Sequence, residues 1–171
     1  MRRFLVIVTV VGAMALACAA CGGGSPGDPA QGAGAAVVKR VVDGDTIVVH
    51  VGGRDERVRL IGIDTPETVD PRKPVQCFGK EASDHTKALL PAGTAVRLER
   101  DAEARDRYDR LLAYVYRASD GLFVNLELAR DGYAQLLTIP PNVTYVDQLR
   151  AAVADARHDG RGLWSSCAAS G

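Results

Sequence analysis

The chain has 171 residues, enough for one domain behind a processed leader. A quarter of them are charged, with 21 basic and 21 acidic side chains in balance, so a folded soluble domain is expected and a polycation that holds nucleic acid by bulk charge is excluded. Losing Arg2 and Arg3 with the leader leaves a small acidic excess, so any nucleic-acid role must rest on a local site.

Arg2 and Arg3 precede an apolar run from Phe4 to Ala17 and then small residues, the order of a secretory signal. The run is short for a membrane span. Residues 1–20 are therefore read as a signal peptide. Cys21 follows Ala19-Ala20 and opens a Gly/Ser/Pro tether, which resembles a bacterial lipoprotein cleavage site. Lipid attachment at Cys21 and a place in the cell envelope are expected. Cys18 after Ala15-Leu16-Ala17 leaves an ordinary signal-peptidase cut, and a secreted product, as the alternative. Residues 21–35 read as a flexible linker and 36–171 as the folded domain.

Val37 to Val42 and Thr46 to Val51 are rich in β-branched residues and separated by Asp43-Gly44-Asp45, which predicts a hairpin. Gly52-Gly53 turns the chain into a third strand, Arg57 to Ile63. A loop rich in proline and charge follows, and then a helix from Lys80 to Leu90 that Pro91 stops. "GTAVRLER" and "LLAYVYRA" are two more strands around the charged hairpin "DAEARDRYDR". Val124 to Asp131 reads as a short helix closed by Gly132, and Thr144 is placed to cap a last helix running to about His158. Five short strands with about three helices predict an α+β fold built on a small closed barrel, of which the oligonucleotide-binding (OB) fold is the commonest five-stranded form.

Besides Cys18 and Cys21 only Cys77 and Cys167 remain, and in an exported domain an even pair predicts a disulfide, with two unrelated buried thiols as the alternative. No histidine lies near either in sequence, which argues against a catalytic cysteine.

The acids and arginines carry the chemistry. Asp43 and Asp45 flank a glycine, which taken alone is only hairpin preference. Asp64 closes the third strand before Thr65-Pro66-Glu67, and the proline confines Thr65 to an extended backbone. Asp45, Asp64 and the Thr65 carbonyl form a hard-oxygen set suited to Ca²⁺, with water and substrate phosphate completing the shell. Arg59 sits in an apolar strand and needs an anion. A salt bridge to Asp45 or Asp64 is one reading; a bidentate grip on phosphate is the other. Gly62 can mark a bend that resets the strand faces. Arg110 likewise enters an apolar segment and, taken alone, reads as a surface ion pair.

"VVDGDTIVV", "VRLIGIDTPET", "FGKEAS", "DRYDRLLAYVY" and "NVTYVDQLRAAVADARHDGRGLW" occur in the order and spacing of the thermonuclease, or staphylococcal-nuclease-like, family, which the chain resembles from Val37 to Trp164. The resemblance implies an OB-fold barrel and a Ca²⁺-dependent endonuclease that cuts DNA and RNA at the 5′-oxygen and leaves 3′-phosphates. It implies Asp45 and Asp64 as calcium carboxylates and Thr65 as the carbonyl ligand. Arg59 and Arg110 would bind phosphate, and Glu67 would position or deprotonate the attacking water.

The sequence also departs from the family. Leu137 and Ile139 stand where many relatives have tyrosines that pack on the nucleotide, so base stacking is expected to be weaker, with Tyr108 and Tyr145 the aromatics left nearby and Tyr108 taken as the substrate contact. Asp109 replaces a glycine before Arg110, and either pairs with that arginine or solvates the turn. Asp43 either supports the metal carboxylates or shapes the turn. Arg72-Lys73 reads as a solvated loop, and His50, His85 and His158 match no ligand spacing. The rival readings are a non-catalytic OB-fold module that binds nucleic acid or protein, and a structural calcium site. The balance of charge predicts weak, distributive binding of substrate, and a monomer is the default expectation.

Overall fold

The computed structural model describes residues 35–68 and 74–167. The expected signal peptide, the lipidation residue Cys21 and the Arg72-Lys73 pair lie outside the described residues. In chain order the elements are β1 (Ala35–Asp43), β2 (Thr46–Val51), β3 (Arg54–Leu60), β4 (Ile63–Asp64), α1 (Gly79–Leu89), β5 (Ala95–Glu99), β6 (Leu111–Arg117), α2 (Val124–Arg130), β7 (Gln135–Leu136), α3 (Val146–His158) and α4 (Leu163–Ser166). Strands β1, β2, β3, β6 and β5 close into a barrel in that order. This is the expected OB-fold α+β architecture. The side chains of Ile47, Val49, Val58, Leu60, Val96 and Val115 fill its interior and are fully buried. Each such side chain stabilises the fold by roughly 1.5–3 kcal/mol relative to exposure.

The third strand differs from expectation. β3 ends at Leu60, and Ile63-Asp64 pairs instead with Gln135-Leu136 in a separate two-stranded sheet. Gly62 makes the break. Its φ is +82°, and a Cβ there would stand 2.4 Å from Leu149 Cδ1 of α3. Only glycine allows both the left-handed turn and the close approach of that helix. The bend turns Asp64 out of the barrel wall while Arg59 stays in it.

Among the described residues there are four helices rather than about three. The addition, α4, is a single four-residue turn, too short to show helical periodicity in sequence. It leads to Cys167, whose Sγ is 2.11 Å from that of Cys77, with Cα atoms 5.9 Å apart, within disulfide geometry. No described helix is long and apolar enough to cross a membrane.

Thr144 does not cap α3. The helix starts after Tyr145 without a side-chain cap, and the Thr144 N–H and hydroxyl both donate to Asp101, at 2.9 Å each. Tyr114 Oη donates to the same carboxylate at 2.9 Å and Ala102 N at 2.8 Å. Asp101 thus ties the end of β5 to the start of α3. Burial alone would raise its carboxyl, but the Thr144 and Tyr114 donors outweigh it and hold it below its ordinary value. A depressed carboxylate stabilises the fold above its unfolded value and loses that contribution as pH falls through the folded one. Asp101→Asn is therefore expected to cost about 2 kcal/mol at neutral pH, a charge-assisted network being worth that much. The gap from the parent, followed by urea midpoints at successive pH values, should close on acidification. A gap that is constant down to strongly acidic pH would contradict this assignment.

Candidate active site

The turn between β1 and β2 places Asp45 at the barrel rim with only 6% of its surface exposed. Its Oδ2 accepts from the Thr65 N–H at 2.9 Å, its Oδ1 accepts from Thr46 Oγ1 at 3.1 Å, and its carbonyl accepts from Leu60 N at 2.9 Å. The turn itself is shaped by Asp43, whose Oδ1 accepts from Asp45 N at 3.2 Å. Burial, and next the charge of Asp45, push the Asp43 carboxyl up to about 6.

Gly44 is required by contact. A Cβ there would lie 2.6 Å from Thr65 Oγ1 and 2.8 Å from Thr65 Cβ, and Thr86 Oγ1 donates to the Gly44 carbonyl at 2.7 Å from below. Gly44→Ala would push against buried Thr65 and loosen its bond to Asp45. Overpacking of this kind costs about 1–3 kcal/mol. The variant is expected to melt earlier and to bind divalent cations more weakly, as read by calorimetric titration. Parent-like cation affinity would count against this role for Gly44.

Arg59, on β3, is buried to 11% side-chain exposure. Its Nη2 lies 3.1 Å from Asp45 Oδ2 and 2.9 Å from Asp64 Oδ1, and its Nη1 donates to the carbonyls of Leu60 and Ile63. The two carboxylates therefore converge on one point. Partial burial first, then the Asp45 charge, raise the Asp64 carboxyl; Arg59 opposes the shift and Glu67 adds to it. Glu67 acts on Asp64 from the same segment, and that segment is pinned: Glu67 N donates to Gln76 Oε1 at 2.8 Å, and Gln76 N donates to the Glu67 carbonyl at 3.0 Å. Gly79, at the start of α1, lets this strap sit close, since a Cβ there would be 3.0 Å from the Glu67 carbonyl oxygen.

Beside this rim lies an open cleft of about 440 Å³, lined among others by Arg59, Arg110, Tyr108, Leu137 and Ile139. Tyr108 is 64% exposed and Ile139 60%. Both arginines singled out in the sequence thus face one cleft. Arg110 is held by Asp106, whose Oδ2 accepts from its Nε at 2.7 Å and whose Oδ1 accepts from the backbone N–H groups of Tyr108 and Arg110. Asp109, at φ +62°, takes the left-handed position that a glycine would fill without strain, and pairs with Arg105 rather than Arg110. Tyr145 is away from the cleft lining: its hydroxyl donates to Glu99 at 2.6 Å and its ring packs edge-on against Tyr114.

A family model described as "Staphylococcal nuclease homologue" matches residues 57–166. The chain belongs to that family. A thermonuclease of Staphylococcus intermedius is 48% identical over 128 residues, 75% of this chain and 74% of the relative. A thermonuclease of Staphylococcus hyicus is 44% identical over 129 residues, 75% of each chain. Endonuclease YncB of Bacillus subtilis is 41% identical over 128 residues, 74% of this chain and 59% of the relative. The staphylococcal nuclease homologue match spans Arg59, Asp64, Thr65, Glu67, Tyr108 and Arg110; Asp45 lies ahead of it.

Sequence reasoning missed Asp106 as the holder of Arg110, and it missed Asn142. Asn142 is buried in the cleft wall; its Oδ1 accepts from Glu103 N at 2.8 Å and its Nδ2 donates to the Glu103 carbonyl at 3.2 Å. An Asn after two prolines reads as a turn residue, so no local signal marked it as a clamp.

Proposed function

We propose that this staphylococcal nuclease homologue is an exported Ca²⁺-dependent endonuclease that hydrolyses DNA and RNA at the 5′-oxygen and leaves 3′-phosphates. The observation that carries this reading is the convergence of Asp45 and Asp64 on Arg59 at the edge of a cleft that Arg110 also lines.

The donor set fits calcium. Asp45 and Asp64 are hard oxygen donors meeting at one point, and the Asp64 carboxyl is raised first by burial and next by the Asp45 charge, the second of which a cation would relieve. No described group of three or more His, Cys, Asp or Glu side chains could hold a metal, so the Thr65 carbonyl, water and substrate phosphate would supply the remaining ligands. Bound Ca²⁺ would supply Lewis-acid cover for the charge that grows on the phosphate.

The chain's own groups do the rest. Arg59 and Arg110 offer preorganised N–H donors to the phosphoryl oxygens, Arg110 oriented by Asp106 and Arg59 by the carbonyls of Leu60 and Ile63. Glu67, on its pinned strap, aims a water opposite the leaving 5′-oxygen and takes its proton. Tyr108 gives a base a flat face, while Leu137 and Ile139 offer only aliphatic contact. The leader and Cys21 put the chain outside the cytoplasmic membrane, tethered by lipid or released, as a monomer. The Cys77–Cys167 pairing belongs to the same reading, since export provides the oxidant.

The test is cleavage of single-stranded DNA and of RNA by the purified protein with Ca²⁺ or with chelator, alongside calorimetric Ca²⁺ titration. Cutting that requires Ca²⁺, with 5′-hydroxyl and 3′-phosphate ends, is the expected result. A folded protein that binds the oligonucleotides and never cuts them would instead be a binding module.

A further inference from the structure

Among the described residues, every polar side chain lining the cleft has a partner except one. Arg59 is held by Asp45 and Asp64, Arg110 by Asp106, Arg107 Nη2 donates to Tyr108 Oη at 2.7 Å, and Asn142 is spent on the Glu103 backbone. The Glu103 carboxylate makes no hydrogen bond or ion pair among the described residues, although its residue lines the cleft and is exposed. Its main chain is fixed on both sides by buried Asn142, so the free carboxylate stands on a rigid mount.

An unpaired acid is an odd tenant for a phosphate cleft. Arg59 is balanced by Asp45 and Asp64 and Arg110 by Asp106, so the pull on a phosphate would come from Arg107 and, once a cation neutralises the Asp45–Asp64 pair, from Arg59. Glu103 repels phosphate locally and leaves that wall to an uncharged part of the nucleotide. Elsewhere in the same lining, Tyr108, Leu137 and Ile139 offer faces rather than hydrogen-bonding edges.

We propose that Glu103 reads the edge of a base in the bound strand and biases cleavage toward guanine. The inference rests on the nuclease reading. An ionised carboxylate only accepts hydrogen bonds. The Watson–Crick edge of guanine presents two adjacent donors, N1–H and N2–H, which match its two oxygens. Adenine and cytosine present one amine beside a ring-nitrogen acceptor, and thymine or uracil presents one N–H between two carbonyls. Those acceptors meet the carboxylate unfavourably. In a single strand these edges are open to contact.

The experiment uses oligothymidylate carrying a single central dG, dA or dC, beside the all-dT strand, with Ca²⁺, for the parent, Glu103→Ala and Glu103→Gln. A good bidentate contact discriminates by about tenfold or more. The parent is expected to cut the dG strand about tenfold faster in kcat/KM than all-dT, with products mapping beside the dG. Glu103→Ala should bring the ratio near one, and Glu103→Gln should move the preference to dA, whose donor–acceptor edge suits an amide. Equal cutting of all strands by the parent, or a dG preference that survives in Glu103→Ala, overturns the proposal. If nothing is cut, fluorescence anisotropy of the same strands in chelator decides it separately. A dG preference in Kd that is lost in Glu103→Ala upholds base reading without the nuclease, and equal Kd values refute it.

Discussion

Arg59→Ala is expected to lower kcat on single-stranded DNA by about a thousandfold, the upper range for losing one preorganised donor at a developing anion. The residue has two tasks, and a single substitution removes both. As a planar fork it lines the cleft; as a cation it balances Asp45 and Asp64 through one nitrogen. Without it two adjacent carboxylates, one of them buried, face each other, and breaking a buried pair costs about 3–5 kcal/mol. Added Ca²⁺ should offset that loss, so the variant should gain more thermal stability from the ion than the parent does. Arg59→Lys separates the tasks. It restores a positive charge without the planar fork, so stability should recover while the rate stays low. A value of kcat for the alanine variant within threefold of the parent, under saturating Ca²⁺, would remove Arg59 from the chemistry.

The second large effect concerns stability. Cys77 and Cys167 are 90 residues apart in sequence, and cross-linking a loop of that length is worth about 4–5 kcal/mol in chain entropy. The double variant Cys77→Ser/Cys167→Ser is expected to lose most of that, seen as a lower guanidinium midpoint with little change in the folded circular dichroism. The oxidised parent treated with reductant should move to the same midpoint. A parent indifferent to reductant would show that the bond is not part of the native protein.

The barrel was legible because its strands carry β-branched runs between glycine turns, a local signal. Arg59 was legible for the opposite reason: a charge in an apolar strand requires a partner, and the structure supplies Asp45 and Asp64 together. Of the two readings offered for it, the ion pair is seen directly, and the phosphate grip is the proposal that its place in the cleft lining supports. What the sequence concealed depends on contacts between distant segments. The β4–β7 pairing joins Ile63 to Leu136, far apart in the chain, and neither two-residue strand has a period of its own. Thr144 has the chemistry of a helix cap, and only the presence of Asp101 nearby diverts it. Asn142 and Glu103 find each other across 39 residues, and nothing in either neighbourhood announces the other.

Gln76 grips the backbone of Glu67 with both its side chain and its N–H, and the next residue in the chain is Cys77. The strap that carries Glu67, the proposed water-activating acid, is therefore moored one residue from the cross-link. Thiols stay reduced in the cytoplasm and oxidise outside it. A chain still awaiting translocation would hold its strap slack, and its attack on nucleic acid would be weakest beside the producer's own genome. If the chain is exported as proposed, the bond would act as a safety catch released only by the journey out.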